Sequence, residues 1–330
     1  YCINFSGKLV WKTRLAPRDY RIAGNGRVIS AWPVRSGVLV DRGVAYATAG
    51  MFPSEGVYIY ALDSTTGKIQ WKKEHRNERT AQGNLLLSAD HLYVPSGRSS
   101  PVEYERKTGK QVRVLGGLKG PGGNDVGGTD MSLSGDYLVV REGRGGALCL
   151  ISLRQNNVIK SFAGTKIIIT PEKYFIHGGG KMKAVTPDII NISKYANAEQ
   201  QTVKRIGDLD KQIKQQRENA RRGKSPTKPL GPLQEKRAKE DKFLIEVREK
   251  IQACKLWERG SESSDALIFA GDMLFAGGKN IVSASNVETG VEVWAHPVQG
   301  RALGLAVANG MLLVSTDEGK IHCFQAKGVQ

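Results

Sequence analysis

A strand-pair pattern that returns six times along the chain constrains its fold more than any other feature. Each copy consists of an apolar run, a tight turn and a second apolar run, as in Val38–Tyr46, where Asp41-Arg42-Gly43 forms the turn. Asp-Gly and Asn-Gly sequences supply the positive φ angles that tight β-hairpins need. The other copies lie at 85–94, 131–140, 167–176, 267–275 and 305–314. Six hairpins of one type indicate an internally repeated, all-β fold.

A second motif follows most of these hairpins and ends in tryptophan. Ala61–Trp71 fits A-x-D-x-x-T-G-x-x-x-W, and Ala284–Trp294 fits it with Asn in place of Asp. We expect the Asp or Asn to cap turn amides, the glycine to adopt a left-handed conformation and the tryptophan to pack between sheets. The predicted structural anchors of the repeat are Trp11, Asp63, Gly67, Trp71, Gly109, Trp257, Asn286, Gly290 and Trp294.

The spacing of these motifs predicts the size of the repeating unit. Strand-ending positions recur about every 40–60 residues, which is typical of four-stranded propeller blades, except for one gap of 95 residues. These positions are Trp11, Trp71, Arg113, Phe162, Trp257 and Trp294. The predicted four-stranded units are 36–75, 84–116, 130–163, 165–258 and 264–298, with three further strands in 302–326.

The repeats resemble the tryptophan-docking repeats of the PQQ-like (quinoprotein-type) β-propeller family, including the outer-membrane assembly factor BamB group. This resemblance implies a propeller with seven or eight blades in the full protein, of which we expect this chain to be a fragment. It also implies, by analogy with family members, an extracytoplasmic (periplasm-like) location. The scaffold hosts both dehydrogenases and non-enzymatic binding proteins, so the fold alone does not select between them.

The 95-residue gap contains a segment of different character. Its apolar residues recur at three- and four-residue steps, which predicts two helices, Asn197–Arg222 and a second ending near Lys255, in an antiparallel coiled-coil hairpin. The predicted seam consists of Val203, Ile206, Leu209 and Ile213 on the first helix and Leu244, Val247, Ile251 and Cys254 on the second. The predicted domains are therefore propeller blades at 1–196, the helical insert at 197–255 and propeller blades at 256–330.

The chain is strongly basic, with a net charge of +17. The insert contributes much of this, since residues 198–259 hold 17 Lys/Arg against 10 Asp/Glu. The hairpin is either a solvated decoration or an arm that docks partners, and its candidate interaction residues are Lys204, Lys211, Lys214, Arg217, Arg221, Arg222, Lys236 and Arg237. A second basic stretch, either a solvated face or a functional connection, contains Lys12, Arg14, Arg18, Arg21, Arg27 and Arg35.

No complete catalytic constellation is visible in the sequence, and we predict no catalytic, cofactor-binding or metal-binding residue. There is no adjacent cysteine pair, no CxxCH haem motif and no metal-ligand spacing among the five histidines. The glycine-rich segment Gly122–Gly128 is interpreted as an inter-strand loop, with a calcium-binding loop as the less favoured alternative.

Three functions stay open at this point. The favoured one is a non-catalytic protein–protein interaction scaffold that organises a larger bacterial envelope or enzyme complex, binding protein partners, including acidic ones, through the hairpin and the propeller rim. The alternatives are a PQQ- and calcium-dependent oxidoreductase with part of its site outside this chain, and a module that binds an anionic surface or nucleic acid. Nucleic acid is not favoured, because the basic residues are not interleaved with aromatic ones. Apolar runs are strand-sized, so no transmembrane segment is predicted, and self-association stays possible.

Overall fold

The computed structural model describes residues 1–4, 6–24, 26–75, 80–97, 99–143, 146–223 and 229–325. Strands make up 48% of the chain and helices 20%, so the chain is mostly β with one helical hairpin, as predicted. Contacts divide it into two compact units, Tyr1–Ile169 and Thr170–Gln330.

The first unit begins with two short strand pairs. The first pair joins β1 (Cys2–Ile3) to β2 (Leu9–Trp11), and the second joins β3 (Arg21–Gly24) to β4 (Arg27–Ser30).

Three four-stranded antiparallel sheets follow, each with its strands in sequence order, as a propeller blade requires. The first contains β5 (Leu39–Asp41), β6 (Val44–Ala49), β7 (Tyr58–Asp63) and β8 (Ile69–Glu74). The second contains β9 (Leu86–Leu87), β10 (His91–Ser96), β11 (Ser99–Glu105) and β12 (Gln111–Val114). The third contains β13 (Val126–Ser134), β14 (Tyr137–Glu142), β15 (Leu148–Ser152) and β16 (Asn157–Phe162), and the unit ends with β17 (Lys166–Ile169).

The hairpin turns have the backbone that their sequences predict. Arg42 and Gly43 have φ angles of 47° and 78°, and Asn309 and Gly310 have 51° and 71°. Positive φ at both central residues is the geometry of two-residue hairpin turns that match the twist of β-strands.

Inner strands are buried along successive residues rather than alternate ones. All five residues of β15 are buried, as are five of the six in β6. Such continuous burial occurs when both faces of a sheet are covered. Tyr60 shows the effect on a polar group: it donates a hydrogen bond to the Leu15 carbonyl, and burial raises its pKa to about 12.

The second unit begins with β18 (Tyr174–Gly178) and β19 (Lys181–Val185). Two helices, α1 (Ile192–Arg221) and α2 (Leu230–Ala253), then precede β20 (Lys255–Gly260), which pairs antiparallel with β19. Helix α1 begins five residues earlier than the apolar periodicity indicates, because a short 3-10 turn at Pro187–Asn191 leads directly into it. No helix among the described residues is long and apolar enough to cross a membrane.

The last two predicted units share one long strand. The units 264–298 and 302–326 are joined in one five-stranded sheet, because β23 runs without interruption from Glu292 to Ala308. The other strands of this sheet are β21 (Ala266–Ala270), β22 (Met273–Asn286), β24 (Met311–Thr316) and β25 (Ile321–Gln325). The strand changes partner at the predicted boundary, because β23 pairs with β22 up to Arg301 and with β24 from Ala302 onward. The β22–β23 pairing has a register shift between Lys279 and Ile281, and the β23–β24 pairing has one between Ala302 and Gly304.

Candidate functional site

Capped turns connect β7 to β8 and β22 to β23. Asp63 Oδ1 accepts hydrogen bonds from the amides of Thr65 and Thr66, at 3.0 and 2.7 Å, and from Thr66 Oγ1 at 2.9 Å. These bonds from Thr66 and Thr65 lower the pKa of Asp63. Asn286 Oδ1 accepts from the amides of Glu288 and Thr289 in the same way, which explains why Asn replaces Asp there: both side chains offer a carbonyl-type oxygen.

Three of the turns also receive an indole from the preceding repeat. Trp71 Nε1 donates to the Arg106 carbonyl at 3.1 Å, and that carbonyl lies three residues before Gly109. The same spacing relates the other indoles to their acceptors and glycines: Trp11 to Ser64 and Gly67 at 3.0 Å, and Trp257 to Val287 and Gly290 at 2.9 Å.

Glycine is required in these turns for two reasons: its φ angle is positive, and the docked indole leaves no room for a side chain. Gly109 has a φ of 68°, and a Cβ there would lie 2.6 Å from Cε3 of Trp71. The equivalent distances to an indole carbon are 2.4 Å at Gly67 and 2.5 Å at Gly290. A side chain at these positions would be strained by the backbone and would also push the indole away.

Arg113, which the sequence places at a strand-ending position, takes the place of a tryptophan. Its Nη2 donates to the Leu153 carbonyl at 2.7 Å, three residues before Asn156, which has a φ of 53°. A guanidinium therefore makes the hydrogen bond that an indole makes elsewhere, and Asn156 occupies the glycine position. Asn tolerates the left-handed conformation better than most residues, which is the signal that could have identified this turn.

Trp294 lies differently from the other strand-ending tryptophans. Among the described residues, its indole N–H has no carbonyl within hydrogen-bond distance, and its ring meets Phe324 edge-on with centroids 5.1 Å apart. It lines an open, largely apolar groove of about 580 Å³ together with Phe275, Met311 and Phe324.

The helical hairpin occupies the position of one capped turn. In the ordinary turns six residues separate the last paired strand residues, which are Leu62 and Ile69, Tyr104 and Gln111, and Ser285 and Glu292. In the sheet that carries the insert, the corresponding pair is Val185 and Lys255. The amide of Thr186 donates to the Cys254 carbonyl at 3.0 Å, as the amide of Asp63 donates to the Lys68 carbonyl at 2.8 Å. Residues 186–254 therefore replace the six residues of an ordinary connection. The hydrogen bond between the first and the last residue of the connection is retained.

Polar contacts at the root of the hairpin fix its first helix. Asp188 accepts hydrogen bonds from Asn191 Nδ2 and from the Tyr195 hydroxyl, both at 2.7 Å, and these bonds lower the pKa of Asp188. Cys254 is buried beside them, and burial raises the pKa of its thiol.

The two helices are joined by an apolar seam and by ion pairs. Leu209, Ile213 and Leu233 pack together, whereas Val203, which the periodicity placed in the seam, is 46% exposed and Thr202 is buried instead. Interhelical ion pairs join Arg205 to Glu240 at 3.0 Å, Arg248 to Glu199 at 2.8 Å and Arg237 to Asp210 at 2.8 Å.

The predicted arm residues fall into two groups. Arg237 is held between Asp210 and Asp241, with its pKa raised by the bond to Asp210, and Lys211 lies 4.0 Å from Asp208. The others are exposed and have no carboxylate within 4.0 Å among the described residues: Lys204, Lys214, Arg217, Arg221, Arg222 and Lys236.

Comparison with known proteins agrees with this geometry. A family model described as outer membrane protein assembly factor BamB matches residues 1–178, slightly more than half of the chain. The chain belongs to this BamB family. The match ends before α1 begins.

Solved structures resemble the fold at low sequence identity. The crystal structure of BamB from Moraxella catarrhalis has a TM-score of 0.52 and 13% identity, covering 91% of this chain and 75% of that one. The computationally designed Ika8 protein has a TM-score of 0.54 and 10% identity, covering 89% and 71%. Hsv2p from Kluyveromyces lactis has 0.50 and 10%, covering 89% and 74%. The comparison with curated proteins found no match. These likenesses show a β-propeller fold.

Two carboxylates at the candidate calcium loop of this BamB-family chain, those of Asp125 and Glu142, already bind other groups of the protein. Glu142 accepts a hydrogen bond from the Asn124 amide at 3.0 Å, and this bond is the largest influence lowering its pKa. Asp125 pairs with Lys119 at 2.8 Å. Within the described ranges, no group of three or more His, Cys, Asp or Glu residues has metal-binding geometry.

Two buried histidines each have a ring nitrogen within hydrogen-bond distance of a protein oxygen. His75 Nδ1 lies 2.7 Å from the Tyr104 hydroxyl, and His177 Nε2 lies 3.2 Å from the Ser261 carbonyl. Burial lowers the pKa of His177. Cys2 and Cys323 are both free thiols.

The basic N-terminal stretch is partly engaged with its own neighbours. The guanidinium of Arg18 lies over the ring of Tyr20, 4.9 Å from its centroid, and the ammonium of Lys12 lies 5.1 Å from that of Tyr1. Arg14 and Arg21 both approach Asp19, at 3.7 and 3.6 Å. These contacts account for four of the six basic residues noted in this stretch.

Proposed function

We propose that this BamB-family chain is a non-catalytic scaffold whose helical arm docks a protein partner in an extracytoplasmic bacterial complex. The family description, assembly factor, supports a role in bringing proteins together. In this proposal the β-sheets hold the arm in place, and the arm together with the sheet rims provides the binding surface.

One observation carries the proposal: a helical hairpin with a solvent-exposed outer surface replaces a short turn whose groups are used within the sheets. In the ordinary turns these groups are used within the sheets: Asp63 caps its own turn, and Gly67 lies against Trp11 of the preceding repeat. The hairpin keeps only the closing hydrogen bond of such a turn, from Thr186 to Cys254, and adds two helices whose outer surfaces face solvent.

Those outer surfaces include apolar side chains suited to a protein interface. Phe243 and Ile245 are 42% and 57% exposed, and Val203 is 46% exposed. Aromatic and aliphatic anchors surrounded by polar residues supply most of the binding energy of protein interfaces. Three ion pairs near these residues hold the two helices together, which reduces the entropy lost when a partner binds.

Cross-linking in native extract tests the proposal with two variants. In the first, residues 186–254 are replaced by a copy of the connection 63–68, which has the matching register. In the second, Phe243→Ser and Ile245→Ser are combined. The control combines Val28→Ser and Val38→Ser, which remove two aliphatic residues of the first unit that are even more exposed, at 70% and 66%.

We expect a defined set of cross-linked proteins with the wild type and the control, and loss of the same proteins with both arm variants. An unchanged set with the turn replacement would overturn the proposal, because the arm would then bind nothing that the rest of the chain does not.

A further inference from the structure

Charge is unevenly distributed along the helical arm. We define its base as residues 192–210 and 240–253, and its tip as residues 211–223 and 229–239. The base carries six Lys/Arg and seven Asp/Glu, whereas the tip carries eight Lys/Arg and only two Asp/Glu. Each of the three interhelical ion pairs takes its acidic partner from the base. The arm is therefore nearly neutral where it leaves the sheet and strongly basic at its far end.

The basic residues of the tip are available to a ligand. Six of them are exposed and have no carboxylate within 4.0 Å among the described residues: Lys214, Arg217, Arg221, Arg222, Lys236 and Lys239. Only Lys211 and Arg237 have acidic partners there.

Helix stability explains only part of this charge. Arg217, Arg221 and Arg222 lie at the C-terminal end of α1, where cations favourably oppose the helix dipole. Lys236 and Lys239 lie in the N-terminal half of α2, whose first turn contains no acidic residue, although acidic residues are favoured at that end. Like charges gathered at one end also repel each other, so this arrangement opposes folding.

The chemistry of the tip selects the kind of partner. Among the hairpin residues that the structure describes, the exposed large apolar ones all lie in the base: Val203, Phe243 and Ile245. Protein interfaces need apolar or aromatic anchors and are depleted of lysine, and single-stranded nucleic acid needs aromatic stacking. Clusters of four to eight basic residues without such anchors bind anionic lipid headgroups through charge alone.

We propose that the tip of the arm binds the surface of a membrane that contains anionic phospholipid. Each basic residue near such a surface strengthens binding about fivefold, so six unpaired residues suffice for measurable attachment. The proposal is independent of the protein partner, because protein docking is assigned to the apolar base and lipid binding to the basic tip.

Sedimentation of the whole chain with lipid vesicles tests this assignment. The vesicles contain phosphatidylcholine alone or phosphatidylcholine with about 30% phosphatidylglycerol, each at about 50 mM and about 300 mM salt. A tip variant combines Lys214→Glu, Arg221→Glu and Lys239→Glu. The matched control combines Lys194→Glu, Lys204→Glu and Lys242→Glu, which reverse three exposed charges of the base. Circular dichroism of both variants verifies that the helices are intact, and a short DNA duplex is assayed as a competing polyanion.

We expect binding to the anionic vesicles only, lost at high salt and weakened at least about 30-fold in the tip variant but less than about fivefold in the control. Equal losses in the two variants would overturn the proposal, because net charge and not the tip would then decide binding. Equal binding to neutral vesicles would overturn it as well. Tight binding of the duplex with no binding to vesicles would assign the tip to nucleic acid instead. None of these results alters the test with Phe243 and Ile245, so the two proposals fail separately.

Discussion

The capped turns and the helical hairpin are two ways of connecting the same pair of strands. A capped turn uses six residues. Asp63 caps the turn itself, and Gly67 lies against the indole of the preceding repeat. The hairpin uses residues 186–254 and turns most of its surface outward. The comparison teaches that the register and the closing hydrogen bond are sufficient to join the strands, so the connection between them is free to acquire a different role.

The largest effect should come from a side chain placed in a capped turn. We expect Gly109→Ala to lower the free energy of unfolding by about 3 kcal/mol, because it combines a left-handed backbone with a contact to Trp71. Urea denaturation measures the change. Gly135→Ala is the matched control, since its φ is also positive but nothing lies within 4 Å of its added Cβ, and we expect it to cost about 1 kcal/mol. Equal losses would show that docking of the indole adds nothing.

A second test concerns the turn in which arginine replaces tryptophan. Arg113→Met should cost about 2 kcal/mol, because the Leu153 carbonyl loses a charged donor and buried Glu103 loses its ion pair. The double variant Arg113→Met with Glu103→Gln separates the two contributions. If the double variant regains the full wild-type stability in urea, the bond to Leu153 contributes nothing and Arg113 is not a docking residue.

A smaller loss of stability should distinguish Trp71, whose indole docks on a capped turn, from Trp294, whose indole does not. Trp71→Phe removes the N–H that bonds the Arg106 carbonyl and should cost about 1 kcal/mol beyond the loss of ring area. Trp294→Phe removes the same group at a position without such an acceptor, so its cost should be smaller. Thermal and urea unfolding of the two variants side by side provide the measurement. A larger loss for Trp294 would contradict the docking role assigned to the indole N–H.

The smallest effect is a pH dependence at the cap of the first turn. Hydrogen bonds from Thr66 and Thr65 lower the pKa of Asp63, so its stabilisation is fully present above the unfolded-state pKa and is lost as the pH falls through the folded-state value. Asp63→Asn keeps the capping oxygen, as Asn286 does in the equivalent turn, but does not titrate. The stability difference between wild type and variant should therefore be constant above about pH 5 and change as the pH falls below about 4. A constant difference would show that the ionised carboxylate has no special role.

The repeat could be predicted from the sequence because its chemistry is local. Gly67 and Asp63 are required by the turn that contains them, so the pattern carries the signal. Arg113 was not recognised as a docking residue, because its partner lies 40 residues away at Leu153 and depends on how sheets pack. The sequence did not indicate that one strand, β23, joins the predicted units 264–298 and 302–326, because its pairing with both β22 and β24 depends on residues outside the strand.

The arm was predicted in outline and not in detail. Apolar periodicity indicated two helices, but it placed Val203 in the seam and gave no reason to bury Thr202. Threonine is buried there because its hydroxyl donates to the Ala198 carbonyl, one helical turn earlier, at 2.7 Å. Composition likewise showed that the insert is basic, whereas the separation into a paired base and an unpaired tip depends on which residues face each other across the two helices.

The most direct test of the account is the stability of the chain in which residues 186–254 are replaced by a copy of residues 63–68. The account treats the hairpin as a substitute for a capped turn that contributes little to the packing of the sheets. It predicts one cooperative urea transition in the variant, with a free energy of unfolding within about 1 kcal/mol of the wild type. A loss of cooperative unfolding, or a much lower free energy, would show that the helices are part of the core and contradict the central claim.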